Sequence, residues 1–139
     1  PDYLSRHAPP ATPQDLEGHQ CLLLGTVDYA RDEWQLKSRH GDASFAPAGP
    51  GFSVNDMEAM TVAVRSGAGI GLLAGFAAID DLRTGRLLRV LPEYHTQERN
   101  VYAVYSSRQF VDAKISRFIE VLKHEVGQRL DLIAQELIG

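Results

Sequence analysis

The stretch Phe52–Leu73, FSVNDMEAMTVAVRSGAGIGLL, constrains this chain most. Phe52–Val54 reads as a short strand. Asn55 can cap a helix, and Glu58, three residues on, completes a capping box. Met57, Met60, Thr61 and Val64 recur at offsets of three, four and seven, so they share one helical face. Gly67 ends the helix, because the residue just past a helix end wants a left-handed backbone. Ile70–Leu73 is a compact apolar run, read as a buried strand. Strand, helix and strand with short connections form the crossover of a parallel sheet.

In such sheets ligands sit outside the carboxyl ends of the strands, at the helix N-termini. Free backbone N–H groups and the helix dipole suit an anion there. This rule defines a candidate rim. It comprises Gly25 and Thr26 after the first strand, Ser53, Val54, Asn55 and Asp56 at the central helix, and Ala74 and Gly75 after the following strand.

Around this unit the chain reads as short elements. Four of its seven prolines fall at positions 1, 9, 10 and 13, leaving room only for short turns near Tyr3–His7 and Pro13–Leu16. Cys21–Leu24 reads as a strand, as does Glu33–Ser38 around Trp34 and Leu36. His40–Gly51 reads as loop. Phe76–Arg83 predicts a short helix ended by Gly85, and Arg86–Leu91 a strand closed by Pro92. Glu93–Asn100 reads as a polar loop, and Val101–Tyr105, VYAVY, as a central strand. A last helix follows, capped at Ser106 or Ser107, with Ile115, Phe118, Ile119, Leu122 and Val126 as its buried stripe. Gly127 kinks or ends it, and Leu130, Ile133 and Leu137 carry on an apolar face in the same helix or a second one.

The chain's 139 residues suit one domain, and a net charge of −4 argues against holding nucleic acid by itself. Its single cysteine, Cys21, excludes an internal disulfide framework. No apolar run is long enough to span a membrane, and no signal peptide is expected from these residues. The chain starts abruptly at Pro1, which is read as a fragment whose N-terminus lies elsewhere.

Other chemistries fail on context. GAGIG at Gly67–Gly71 closes a helix and opens a strand, the reverse of a dinucleotide loop. The histidines at 7, 19, 40, 95 and 124 are scattered; His19 and Cys21 are two apart but lack further ligands at zinc-like spacing. GFSVN around Ser53 is not a nucleophile elbow. Cys21 lies in an apolar run, as an inert buried thiol does. VYAVY lacks the interleaved basic residues of a base-stacking platform. No catalytic residue, metal or cofactor is expected.

Several stretches, in order, carry a family resemblance: PDYLSRH with PATPQDLEGHQCLLL, the lone Trp34 strand, FSVNDMEAMTVAVRSGAGIGLLAGF, DDLRTGRLLRVLPEY, and VYAVYSSRQFVDAKISRFIEVL. Together they resemble the effector-binding part of LysR-type transcriptional regulators, over roughly Pro1–Lys123. The resemblance implies an α/β, type 2 periplasmic-binding-protein-like lobe, with a mostly parallel central sheet flanked by helices, plus a C-terminal helix. It implies that residues 1–105 form the second lobe of an effector domain. Residues 106–139 would be a helical segment that packs, in the family, on a first lobe absent here.

The resemblance further implies a small-molecule effector, such as a carboxylate, bound between lobes of a bacterial cytoplasmic homodimer or homotetramer. DNA would be reached only through an N-terminal winged helix-turn-helix absent from this chain, and no membrane is involved. Two departures stand out: Leu130–Gly139 runs past the usual end, and Ala74 stands where many members have proline. The alternatives are a lobe of a periplasmic solute receptor and an oligomerisation module with an empty cleft.

Overall fold

Residues 1–25, 33–47, 51–97, 100–102, 104 and 113–138 are described by the structure, a computed structural model. The strands are β1 (Cys21–Leu24), β2 (Trp34–Lys37), β3 (Ala43–Phe45), β4 (Ser53–Val54), β5 (Ile70–Gly71) and β6 (His95–Thr96). The α-helices are α1 (Met57–Arg65), α2 (Gly75–Arg83) and α3 (Ala113–Ile138). A 3-10 turn covers Pro13–Gly18. The chain forms two compact units, Pro1–Gln97 and Glu98–Gly139.

In the first unit β1 is the middle strand of a parallel sheet ordered β4-β1-β5. Leu23 and Leu24 pair with Ser53 and Val54, while Cys21 and Leu22 pair with Ile70 and Gly71. The expected crossover is therefore present, with β4 and β5 both parallel to β1. The strand is apolar throughout because both faces are covered. Successive side chains alternate sides: Cys21 and Leu23 join a cluster with Tyr3, Leu16, Trp34 and Ile70. Leu22 and Leu24 join Met60, Ala63, Val64 and Leu73 on the other.

Met60 and Thr61 of α1 are buried, as the spacing predicts, and the Thr61 hydroxyl donates to the Met57 carbonyl at 2.8 Å. Gly67, at φ 74°, stops the helix as expected. Beyond it β5 crosses so close to the chain preceding β1 that a side chain at Gly69 would stand 2.2 Å from the Gln20 carbonyl oxygen.

The remaining strands form a separate antiparallel sheet, β3-β2-β6. Its alternation puts Trp34 and Leu36 inside and Gln35 and Lys37 outside. Trp34 meets Phe45 edge to face at 5.7 Å between ring centroids. This sheet corrects two readings: β3 lies within the supposed loop His40–Gly51, and β6 within the supposed polar loop Glu93–Asn100.

Other expectations also change. The cap of α1 is Asp56, whose extended backbone (φ −134°, ψ 139°) and carboxylate, 2.9 Å from the Ala59 amide, fill the role assigned to Asn55. Arg86–Leu91 forms no strand: Leu87 and Leu91 bury their side chains without ladder pairing, and Leu91 sits at φ 49°. Val101, Tyr102 and Val104 lie outside any strand, with Val104 94% exposed. β-prone residues become a central strand only where strand partners flank them, and no described strand pairs with these. Ala103, Tyr105 and the cap at Ser106 or Ser107 lie outside the described residues.

In the second unit α3 runs unbroken through Gly127. Ile115, Phe118, Leu122 and Val126 are exposed, not buried. A helical period specifies a face but not what covers it.

Candidate functional site

Because β1, β4 and β5 are parallel, their carboxyl ends share one edge of the sheet. Gly25 leaves β1 there, Asn55 and Asp56 lead from β4 into α1, and Leu72–Ala74 lead from β5 into α2. The Gly25 amide donates to the Val54 carbonyl at 2.8 Å, and the Leu23 amide donates to Phe52 at 2.9 Å. A Cβ at Gly25 would lie 3.7 Å from Ser53 Oγ. The structure thus brings Gly25, Ser53 and Val54 together, with Asn55 and Asp56 exposed beside them. Ala74 and Gly75 stand on the far side of β1. Two strand spacings, about 10 Å, separate β4 and β5, which lead into α1 and α2. Thr26 lies outside the described residues.

The two helix starts differ electrostatically. Helix geometry leaves the Met57, Glu58 and Ala59 amides of α1 without an i−4 carbonyl. The Asp56 carboxylate takes the Ala59 amide, and Glu58 adds a second acid in the first turn. These charges already complement the dipole. The start of α2 carries neither: its cap is Ala74, without a side-chain hydrogen bond, and its first turn holds no acid. The Ala77 and Ala78 amides donate to the Ala74 carbonyl at 2.9 and 3.2 Å. The Gly75 and Phe76 amides are then the donors open to an anion. The missing capping side chain at Ala74 was readable in the sequence, but its consequence emerges only once β5 and α2 are placed.

The two rim helices are locked together by a contact the sequence reading missed. Asp81 in α2 is fully buried and accepts from Arg65 Nε at the end of α1 and from Arg86 Nε at 2.6 Å. The Arg65 hydrogen bond, followed by that from Arg86 and by both charges, holds the Asp81 carboxyl below its ordinary value against the opposing effect of burial. Lone aspartates near a helix end give no such signal in sequence, because the pairing joins three separate segments.

Burial pushes the Cys21 thiol up to about 11, so it is not a nucleophile at neutral pH. The Tyr3 hydroxyl accepts the Gln20 amide at 2.9 Å and lies 3.1 Å from His19 Nδ1, pinning the first turn beside the start of β1. An apolar cavity of about 210 Å³, lined by Leu16, Trp34, Ile70 and Leu87 among others, belongs to the core and includes no rim residue. A shallow groove beside α1 shares only Val54 and Asp56 with the rim. Among the described residues no cluster of three or more His, Cys, Asp or Glu is placed to hold a metal, and no helix is long and apolar enough to cross a membrane.

A parallel sheet with two helix starts across its carboxyl edge is the lobe architecture of an α/β small-molecule receptor. This chain belongs to the LysR substrate binding domain family, whose pattern matches residues 1–127. It is 32% identical over 123 residues to the HTH-type transcriptional regulator DmlR of Escherichia coli K12, covering 88% of this chain and 39% of DmlR. The CrgA regulatory domain of Neisseria meningitidis, a LysR-type transcriptional regulator, superimposes with a TM-score of 0.72 at 29% identity, over 90% of this chain and 60% of that one. The full-length Vibrio cholerae virulence activator AphB gives a TM-score of 0.72 at 26% identity, over 86% of this chain and 40% of AphB. The chain therefore spans about two fifths of the length of DmlR. The family expectation and the lobe fold are met, and a periplasmic solute receptor is not favoured by these relatives.

Proposed function

We propose that this chain is the effector-sensing part of a LysR-type transcriptional regulator. It has no catalytic role and works in the cytoplasm. A small carboxylate sits across the strand ends, its anionic group on the Gly75 and Phe76 amides and a hydroxyl or amine donor toward Asp56. Gly25 leaves room between them, with Ser53, Val54 and Asn55 on the α1 side and Ala74 on the α2 side. The charge asymmetry of the two helix starts carries this reading: one end is already occupied by acids and the other is open.

Residues 1–105 act as the second lobe, and 106–139 as the helical segment that follows it. The assembly is a homodimer or homotetramer, and DNA is engaged by a winged helix-turn-helix outside this chain. An effector that binds two arrangements of the assembly unequally shifts the population of DNA-binding geometries. The test is a thermal-shift screen of this chain against small hydroxy- and amino-carboxylates. A ligand at a hundred times its Kd stabilises by about 2.7 kcal/mol. The expected hit loses its effect on Gly75→Pro, which removes one amide, and keeps it on Gly18→Ala. Hits indifferent to Gly75→Pro overturn the reading.

A further inference from the structure

We propose that Arg65 and Arg86, held side by side by the buried Asp81, form a phosphate-binding site at the edge of the parallel sheet opposite the rim. The inference is independent of the carboxylate reading.

The place follows from chain direction. The strands β4 and β5 deliver the chain into α1 and α2 at their carboxyl ends. Each helix then runs back along the sheet. Arg65, the last residue of α1, and Arg86, just past the end of α2, therefore lie toward the amino ends of the strands. This edge is turned away from the crevice side of such a sheet, so a lobe closing over the rim does not cover it.

A lock between two helices needs one carboxylate and one cation. Here a single buried carboxylate is divided between two: Arg65 Nε donates to one Asp81 oxygen, and Arg86 Nε donates to the other at 2.6 Å. The trio keeps a net positive charge on a chain whose total is −4. A guanidinium carries five N–H donors in a fixed fork, and each arginine uses only its Nε–H. Neither makes another hydrogen bond with a described residue. Their side chains are 46% and 57% exposed, so the terminal Nη groups face solvent from either side of one anchoring group. Two long side chains fixed in this way lose less freedom on gripping a ligand than two free arginines do. The planar forks match phosphate oxygens. A tetrahedral dianion offers oxygens and charge to both forks, whereas a monocarboxylate fills only one. The helix C-termini at this edge carry negative dipole charge, so the attraction comes from the arginines and needs both of them.

Titration of this chain with inorganic phosphate at low ionic strength, followed in nitrogen-15 spectra of the arginine Nε–H groups, reads the site without any variant. Saturable shifts are expected at Arg65 and Arg86, with a Kd of about 1 mM, and none with chloride at equal ionic strength. Glycerol 3-phosphate separates the sources of the ligand: tighter binding than phosphate assigns the site to a phosphate monoester, and otherwise it takes the free ion. Arg65→Lys keeps the charge but loses the fork, and is expected to weaken binding about tenfold. Arg65→Gln should weaken it about a hundredfold, with circular dichroism checking that the fold is kept and Gly18→Ala as the unaffected control. Phosphate that shifts neither Nε–H group up to about 20 mM, shifts them no more than chloride does, or binds at the Gly75 and Phe76 amides instead overturns the proposal.

Discussion

Gly69→Ala should damage this protein far more than one added methyl group suggests. Gly69 is buried, and its Cβ would stand 2.2 Å from the Gln20 carbonyl oxygen, 3.1 Å from the carbonyl carbon and 3.2 Å from Gln20 Cγ. The obstacle is backbone, which cannot swing aside. Restoring even a 3.0 Å contact needs about 0.8 Å of movement, well beyond what a packed interior absorbs without strain. The same Gln20 oxygen accepts the Ile70 amide at 2.9 Å, so that bond stretches beyond normal hydrogen-bond length. An orphaned buried amide costs about 1–3 kcal/mol, and overpacking a further 1–3 kcal/mol. The expected loss is thus about 2–6 kcal/mol of a typical total of about 5–15. Urea unfolding followed by circular dichroism should show a midpoint lower by about 1–3 M, at a slope near 2 kcal/mol per M. Gly18→Ala is the control: it meets nothing within 4 Å and should stabilise by about 0.4–1 kcal/mol. A Gly69→Ala midpoint within error of the parent would refute the close crossing of β5 on β1.

Further outcomes follow from other contacts. The Asp81 carboxyl is depressed in the folded state, so its stabilisation is present above the ordinary value of 3.8 and lost as pH falls through the lower folded value. Urea midpoints should therefore fall on acidification below about pH 4, and Asp81→Asn should lower the neutral-pH midpoint and flatten that acid limb. With its thiol pushed up to about 11, Cys21 should resist iodoacetamide at about pH 8 until urea unfolds the first unit. Ready alkylation of the native chain would contradict its burial. Gly127→Ala, in open space within α3, should raise the stability of that helix by about 0.5–1 kcal/mol, read as increased helicity or a later thermal transition.

What could be read from the sequence was what local pattern controls. The crossover around α1 was legible because Met57, Met60, Thr61 and Val64 repeat on one face and Gly67 needs a left-handed backbone. The cap was misplaced by one residue, because Asn55 and Asp56 are both good caps and only backbone geometry chooses between them. The short strands Ala43–Phe45 and His95–Thr96 were not legible, since they exist only through pairing with β2. Arg86–Leu91 and, among the described residues of VYAVY, Val101, Tyr102 and Val104 show the converse: apolar, β-prone residues without a ladder. The strand ends named as a rim do share one edge of the parallel sheet. The difference in charge between the two helix starts was not read, because it shows only once Asp56 and Glu58 are set on α1 opposite the start of α2, which carries no acid.

The most direct test of the account is a nitrogen-15 amide titration of this chain with a small hydroxy-carboxylate identified by thermal shift. The account predicts saturable shifts at Gly75 and Phe76, with smaller ones at Gly25 and at Asn55–Met57, and none around the core cavity near Trp34 and Leu87. Shifts centred on that cavity, or a rim that stays silent while the ligand binds, would contradict it.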